Sequence, residues 1–119
     1  MQVEQCIAGD VAVITVTGDI TLGKGGDVLL KDKINSLLQQ GHRKLLLDLG
    51  AVSYVDSAGL GQLVQVHATT TRQGGTLKLL NPTKRLRDLL VLTKLLVVFD
   101  AFEDEDAALA SFRNKPAGV

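Results

Sequence analysis

The sequence predicts a single α/β domain with a mixed, mostly parallel sheet, and three observations carry that reading. Strand-like and helix-like stretches follow one another as strand, strand, helix, strand, helix, strand, helix, strand, helix. Leu45-Leu46-Leu47 is a continuous apolar run, as expected of a strand covered on both faces at the centre of a sheet. Glycines fall at the joints, with Gly9-Asp10 between two β-branched runs, Gly41 after one helical pattern and Gly74-Gly75 after another.

The first two strands, Val3–Ala8 and Val11–Thr17, are separated only by Gly9-Asp10, a tight hairpin signal that makes them antiparallel. A polar, glycine-rich stretch from Gly18 to Asp27 leads into the first helix. Leu30, Ile34, Leu37 and Leu38 recur there at helical spacing, and Gly41 is placed to cap the helix. The central strand covers Lys44–Leu49. A short segment through Ser53-Tyr54-Val55 then reaches a second helix, from about Ser57 to Gln73.

Thr76–Leu80 alternates in polarity, so that strand is less deeply covered than the central one. Pro82 stands near the start of a third helix, Thr83–Leu92, where its missing N–H costs little. Leu95–Phe99 reads as a short last strand. A fourth helix covers about Glu103–Arg113, with Ala108, Leu109 and Phe112 inward. Residues 1–113 form the domain, and 114–119 read as a flexible C-terminal tail. Right-handed crossovers join the parallel strands.

Composition narrows the function. The 119 residues are 45% hydrophobic, and thirteen basic residues balance thirteen acidic ones. A neutral chain has no global field to recruit nucleic acid or an anionic membrane, so neither nucleic-acid binding nor membrane insertion is expected. No stretch is long and apolar enough to span a bilayer. The N-terminus lacks the pattern of a signal peptide, and the one cysteine, Cys6, suits a reducing compartment. The expected location is cytoplasmic, with Cys6 a buried, inert thiol in its strand.

The most informative segment is Val55-Asp56-Ser57-Ala58-Gly59-Leu60-Gly61. Either Ser57 or Asp56 can cap the second helix. Capping does not account for Gly59 and Gly61, each of which costs about 1 kcal/mol relative to alanine inside a helix. Glycines there imply close approach of another backbone or of a ligand. The free N–H groups and positive dipole end also favour an anion, so a hydroxyl at this place suits a phosphoryl group.

Other candidates are weaker. Gly18–Lys24 satisfies the first seven positions of a phosphate-binding loop, and Asp48 follows an apolar strand as a magnesium-binding aspartate would. Gly25, however, stands where a metal-binding Ser or Thr is required. His67 is three helical turns from Ser57, too far to act as its base. Asp100, Glu103, Asp104, Glu105 and Asp106 complement a helix start rather than build a metal site. Six basic residues between 72 and 94 lack interleaved aromatics for base stacking. No catalytic residue, metal or cofactor is expected.

Taken together, Leu46-Leu47-Asp48-Leu49, Val52 through Gly61, Gly75, Leu77, Leu79, Leu89 through Thr93 and the segment from Phe99 to Leu109 resemble the STAS domain. The resemblance is to its stand-alone anti-sigma factor antagonists and covers nearly the whole chain. It implies about four helices packed mainly on one face of the sheet. It also implies phosphorylation at Ser57 and a partner switch, with stress response as one setting. In such a switch the unmodified antagonist binds an anti-sigma factor, and a sigma factor is released. The anti-sigma factor is itself a serine kinase, and a PP2C-type phosphatase reverses its action.

The expected partner-binding residues are Asp19, Thr21, Asp56, Ser57, Ala58, Gly59 and Gly61. A bulky residue at Gly59 should then weaken binding and leave the fold intact. Two departures from the family pattern stand out. Ala58 replaces a second serine found in some members. Lys94 replaces a common glycine after the third helix, which implies a differently shaped helix end. The alternatives are a STAS subunit regulating a lipid or anion transporter without phosphorylation, and a nucleotide-binding protein using Gly18–Lys24.

Overall fold

A computed structural model describes residues 2–20, 26–95 and 99–113. Its elements are β1 (Gln2–Ala8), β2 (Val11–Ile20), α1 (Gly26–Gln39), β3 (Lys44–Val55), α2 (Ser57–Arg72), β4 (Thr76–Leu80), α3 (Lys84–Leu92), β5 (Ala101–Phe102) and α4 (Glu105–Arg113). The strands lie side by side in chain order, β1-β2-β3-β4-β5. Among the described strands only β1 and β2 are antiparallel, joined by the predicted hairpin with Gly9 at φ 65°. The other three pairings are parallel.

Alternation along each strand divides the apolar residues between two faces. Ala12, Ile14 and Val16 of β2 join Leu45, Leu47 and Leu49 of β3 and Leu77 and Leu79 of β4 in the main core. Against them pack Leu30, Ile34, Leu37 and Leu38 of α1, Leu60, Leu63 and Val66 of α2, and Leu86 and Leu90 of α3. On the opposite face, α4 is the covering helix among the described residues. There Ala108 and Phe112 close over Val11, Val13, Leu46 and Leu80. Leu46 thus explains the unbroken leucine run, because β3 is covered from both sides at that level. Lys78 of β4 also faces α4; its ammonium donates to Ser111 Oγ at 2.8 Å and lies 4.7 Å from the Phe112 ring centroid.

Several boundaries differ from expectation for identifiable reasons. β3 runs on through Gly50 and Ser53 to Val55 because β2 also continues, pairing Gly18 with Val52, Asp19 with Tyr54 and Ile20 with Val55. Tertiary pairing overrides the weak strand preference of those residues. The β2–β3 register shifts twice, between Thr15 and Thr17 and between Gly18 and Asp19. At the first shift, the Gly50 N–H donates to Asp48 Oδ1 at 3.0 Å, so this aspartate serves the local bulge.

The last strand lies at Ala101–Phe102 rather than Leu95–Phe99; residues 96–98 of that span lie outside the described residues. Leu95 is held by the end of α3, its N–H donating to Leu90 O at 2.9 Å. Pairing with β4 begins only where Leu79 N–H donates to Asp100 O at 2.8 Å. Helix α4 starts at Glu105, two residues later than expected, and the Asp104 carboxylate accepts from Ala107 N–H at 3.1 Å. The tail 114–119 lies outside the described residues.

Two residues, Cys6 and Lys94, depart from expectation. Cys6 is exposed. It is paired with Val13 on edge strand β1, on the α4 side of the sheet, while α4 packs mainly over β3, β4 and β5. Lys94 takes the left-handed conformation directly, at φ 60°. Its N–H donates to Val91 O at 3.1 Å while that of Leu95 reaches Leu90 O. This is the helix end a glycine would make, formed with a lysine.

Candidate functional site

The parallel strands β2 and β3 end together, which brings Asp19 and Ile20 beside Tyr54 and Val55. The chain then turns through Asp56 into α2. Asp56 has extended backbone angles, φ −89° and ψ −179°, and is the helix cap: its Oδ1 accepts from Gly59 N–H at 2.6 Å. Its own N–H points back to Ile20 O at 3.4 Å. Capping therefore belongs to Asp56, and Ser57 is the first helical residue, exposed to solvent. Among the described residues, the Ser57 hydroxyl has no hydrogen-bond partner. Ala58 beside it is half-buried.

The two glycines divide sharply. A Cβ on Gly59 would stand 1.9 Å from Ile20 O and 2.8 Å from Ile20 C. The backbone approach inferred from sequence is thus the end of β2 lying against the first turn of α2. Gly59 is buried, so a bulky residue there disturbs the fold itself, contrary to the expectation that the fold would stay intact. Gly61 is exposed, and a Cβ added there would meet nothing within 4 Å, so no internal packing among the described residues requires a glycine. Thr21, expected in the same surface, lies outside the described residues, as do 22–25.

The site has a second wall that the sequence did not announce. Helix α3 is capped by Thr83, whose Oγ1 accepts from Leu86 N–H at 3.3 Å, and is anchored by buried Leu86 and Leu90. Its outer side then faces the Ser57 turn across an open groove of about 730 Å³. Tyr54, Asp56 and Ser57 line one side; Lys84, Arg85, Asp88 and Leu92 line the other. Leu92 is 80% exposed and Tyr54 45%, so apolar surface flanks the serine. The available signal was Leu92 and Val91, apolar positions out of phase with the buried stripe of α3.

The basic residues between 72 and 94 are dispersed rather than massed. Lys78 packs against α4, Arg87 pairs with Glu103 at 3.3 Å, and Lys84 and Arg85 border the serine groove. His67 stacks edge-on against Phe99, with ring centroids 5.1 Å apart, away from Ser57. Gly18, Asp19 and Ile20, the start of the supposed phosphate loop, are strand residues paired with β3. None of the described helices is long and apolar enough to cross a membrane.

Comparison with known proteins shows the family and the fold. The STAS domain model matches residues 3–108. The anti-sigma-B factor antagonist of Bacillus subtilis (strain 168) is 36% identical over 88 residues, covering 69% of this chain and 80% of that protein. The chain belongs to the STAS family of anti-sigma factor antagonists. The fold of this antagonist is shared with the crystal structure of an anti-sigma factor antagonist from Mycobacterium paratuberculosis, with TM-score 0.81 and 23% identity over 94% of this chain and 93% of that one. It is shared too with the Bacillus cell fate determinant SpoIIAA in its phosphorylated form, with TM-score 0.71 and 21% identity over 94% of this chain and 98% of that one. Anti-sigma factor antagonists are regulators rather than enzymes, and their family implies an anti-sigma factor as partner.

Proposed function

We propose that this antagonist works in a phosphorylation-controlled partner switch with Ser57 as its phosphoacceptor. One observation carries the reading: Asp56 performs the capping, which leaves the Ser57 hydroxyl exposed at the head of α2 and unengaged among the described residues. In the unmodified state, the surface around Ser57, Gly61, Tyr54 and Leu92 binds an anti-sigma factor and thereby releases a sigma factor. The anti-sigma factor is also a serine kinase. Ser57 Oγ attacks the γ-phosphorus of ATP, the bond to ADP breaks, and the hydroxyl proton leaves to a base on the kinase. A PP2C-type phosphatase hydrolyses the phosphoserine and resets the switch. SpoIIAA, an anti-sigma factor antagonist of the same fold solved in both unphosphorylated and phosphorylated forms, supports this reading.

Phosphorylation adds about −1.5 to −2 charges beside Asp56. Desolvating that group against a surface that accepts a neutral hydroxyl costs several kcal/mol. A coupling of about 2–4 kcal/mol corresponds to ~30- to 1,000-fold weaker binding. The test is titration of the cognate anti-sigma factor with the unmodified protein, the phosphorylated protein and Ser57→Ala at fixed salt. Unmodified protein and Ser57→Ala should bind alike, and the phosphorylated form far more weakly. Equal binding by all three would make Ser57 a bystander and favour a transporter-regulating module.

A further inference from the structure

Ser57 shares its groove with two cations that no other described group engages. Lys84 and Arg85 sit in the exposed first turn of α3, held there by the Thr83 cap and the burial of Leu86. Among the described residues neither forms an ion pair, whereas Arg87 on the same helix pairs with Glu103. Asp56 and Asp88 line the groove as well, and one oxygen of Asp56 is already occupied by the Gly59 N–H. Before modification, two cations therefore face two carboxylates. A phosphoryl group on Ser57 overturns that balance.

We propose that Lys84 and Arg85 are an intramolecular clamp for phosphoserine at position 57. The inference rests on the reading of Ser57 as a phosphoacceptor and adds the fate of the phosphate once attached. An arginine fork can hold two phosphate oxygens at once, and a lysine supplies a flexible point charge beside it. The clamp draws both side chains across the groove toward Ser57. Modification thus changes the partner-facing surface twice, by placing an anion on α2 and by withdrawing the cations of α3 from solvent. A protein partner that uses those cations in the unmodified state loses them when the switch is thrown.

The experiment installs phosphoserine at position 57 during translation, so no kinase is needed, and follows its second ionisation by phosphorus-31 NMR. That ionisation ordinarily falls near pH 6. Asp19, Tyr54, Asp56 and Asp88 are the other titratable groups at this edge of the described structure. They are common to every variant compared. In the wild-type sequence the midpoint should lie about 0.5–1 pH unit below that of the Lys84→Gln/Arg85→Gln double variant, which keeps comparable bulk without charge. The gap should narrow in high salt. A Lys31→Gln/Lys33→Gln control removes equal charge from α1 and should stay near wild type.

Coincident curves for wild type and Lys84→Gln/Arg85→Gln, or a shift no larger than the control's, would overturn the clamp. Failure of any anti-sigma factor to phosphorylate Ser57 would instead remove the proposed switch, leaving the NMR result as it stands.

Discussion

Replacing Gly59 with alanine tests whether this glycine is an internal spacer between β2 and α2. The new Cβ would stand 1.9 Å from Ile20 O and 3.1 Å from Ile20 Cγ2. The carbonyl must retreat by about 1.5 Å to reach an ordinary 3.4 Å contact. Ile20 cannot yield freely, because its side chain is fully buried and its backbone is paired with Val55. Retreat also breaks the bond from Asp56 N–H to Ile20 O. Overpacking of this kind typically costs about 1–3 kcal/mol, and a clash with backbone belongs at the upper end. Better helix propensity returns up to about 1 kcal/mol, leaving a net loss of about 1–2 kcal/mol. That corresponds to a Tm lower by ~4–10 °C for a domain of this size.

Urea and thermal unfolding of Gly59→Ala, with Gly61→Ala as partner variant, measure the effect. A Cβ added at exposed Gly61 would meet nothing within 4 Å, so its replacement should raise stability by about 0.5–1 kcal/mol. Two glycines in one turn should thus respond with opposite signs. A Gly59→Ala protein as stable as wild type would refute the close approach of β2 to α2.

Other variants probe the remaining assignments. Asp56→Ala removes the cap of α2 and should cost about 0.5–2 kcal/mol in chemical denaturation, whereas Ser57→Ala should cost almost nothing by the same measurement. Lys94→Gly relieves a left-handed lysine and should stabilise the domain by about 0.5–1 kcal/mol, read as a higher urea midpoint with unchanged slope. Leu92→Glu alters a side chain that is 80% exposed. It should weaken anti-sigma factor binding tenfold or more in a titration, with Tm unchanged, because burying an unpaired carboxylate in an interface is costly.

The architecture was legible where a residue's local preference and its tertiary role agree. Gly9-Asp10 marks a hairpin in isolation and makes one in the fold, and Leu45-Leu46-Leu47 reads as a doubly covered strand because it is one. Legibility fails where a distant segment decides. Gly50 and Ser53 are poor strand residues, kept in β3 because β2 extends alongside them. Cys6 lies in an apolar run, yet its exposure depends on how far α4 reaches. At the site, the capping choice between Asp56 and Ser57 could not be made from adjacent residues, since either side chain fits the pattern. The contribution of α3 was hidden more deeply: nothing within Lys84–Leu92 says which loop its outer side will face.

Because the strands lie in chain order, no segment has to be inserted between two strands already paired. Each parallel partner joins the open edge left by its predecessor, and one helix bridges the gap. Such an order lets the sheet grow outward during synthesis, from the β1–β2 hairpin toward β5, without large loops closing early. Of the described elements, α4 comes last. Until it docks, Leu46 and Leu80 face water on an otherwise assembled sheet. A chain stopped before residue 105 would therefore carry a formed serine turn together with a bare apolar face, and aggregation rather than loss of the Ser57 surface should be its failure mode.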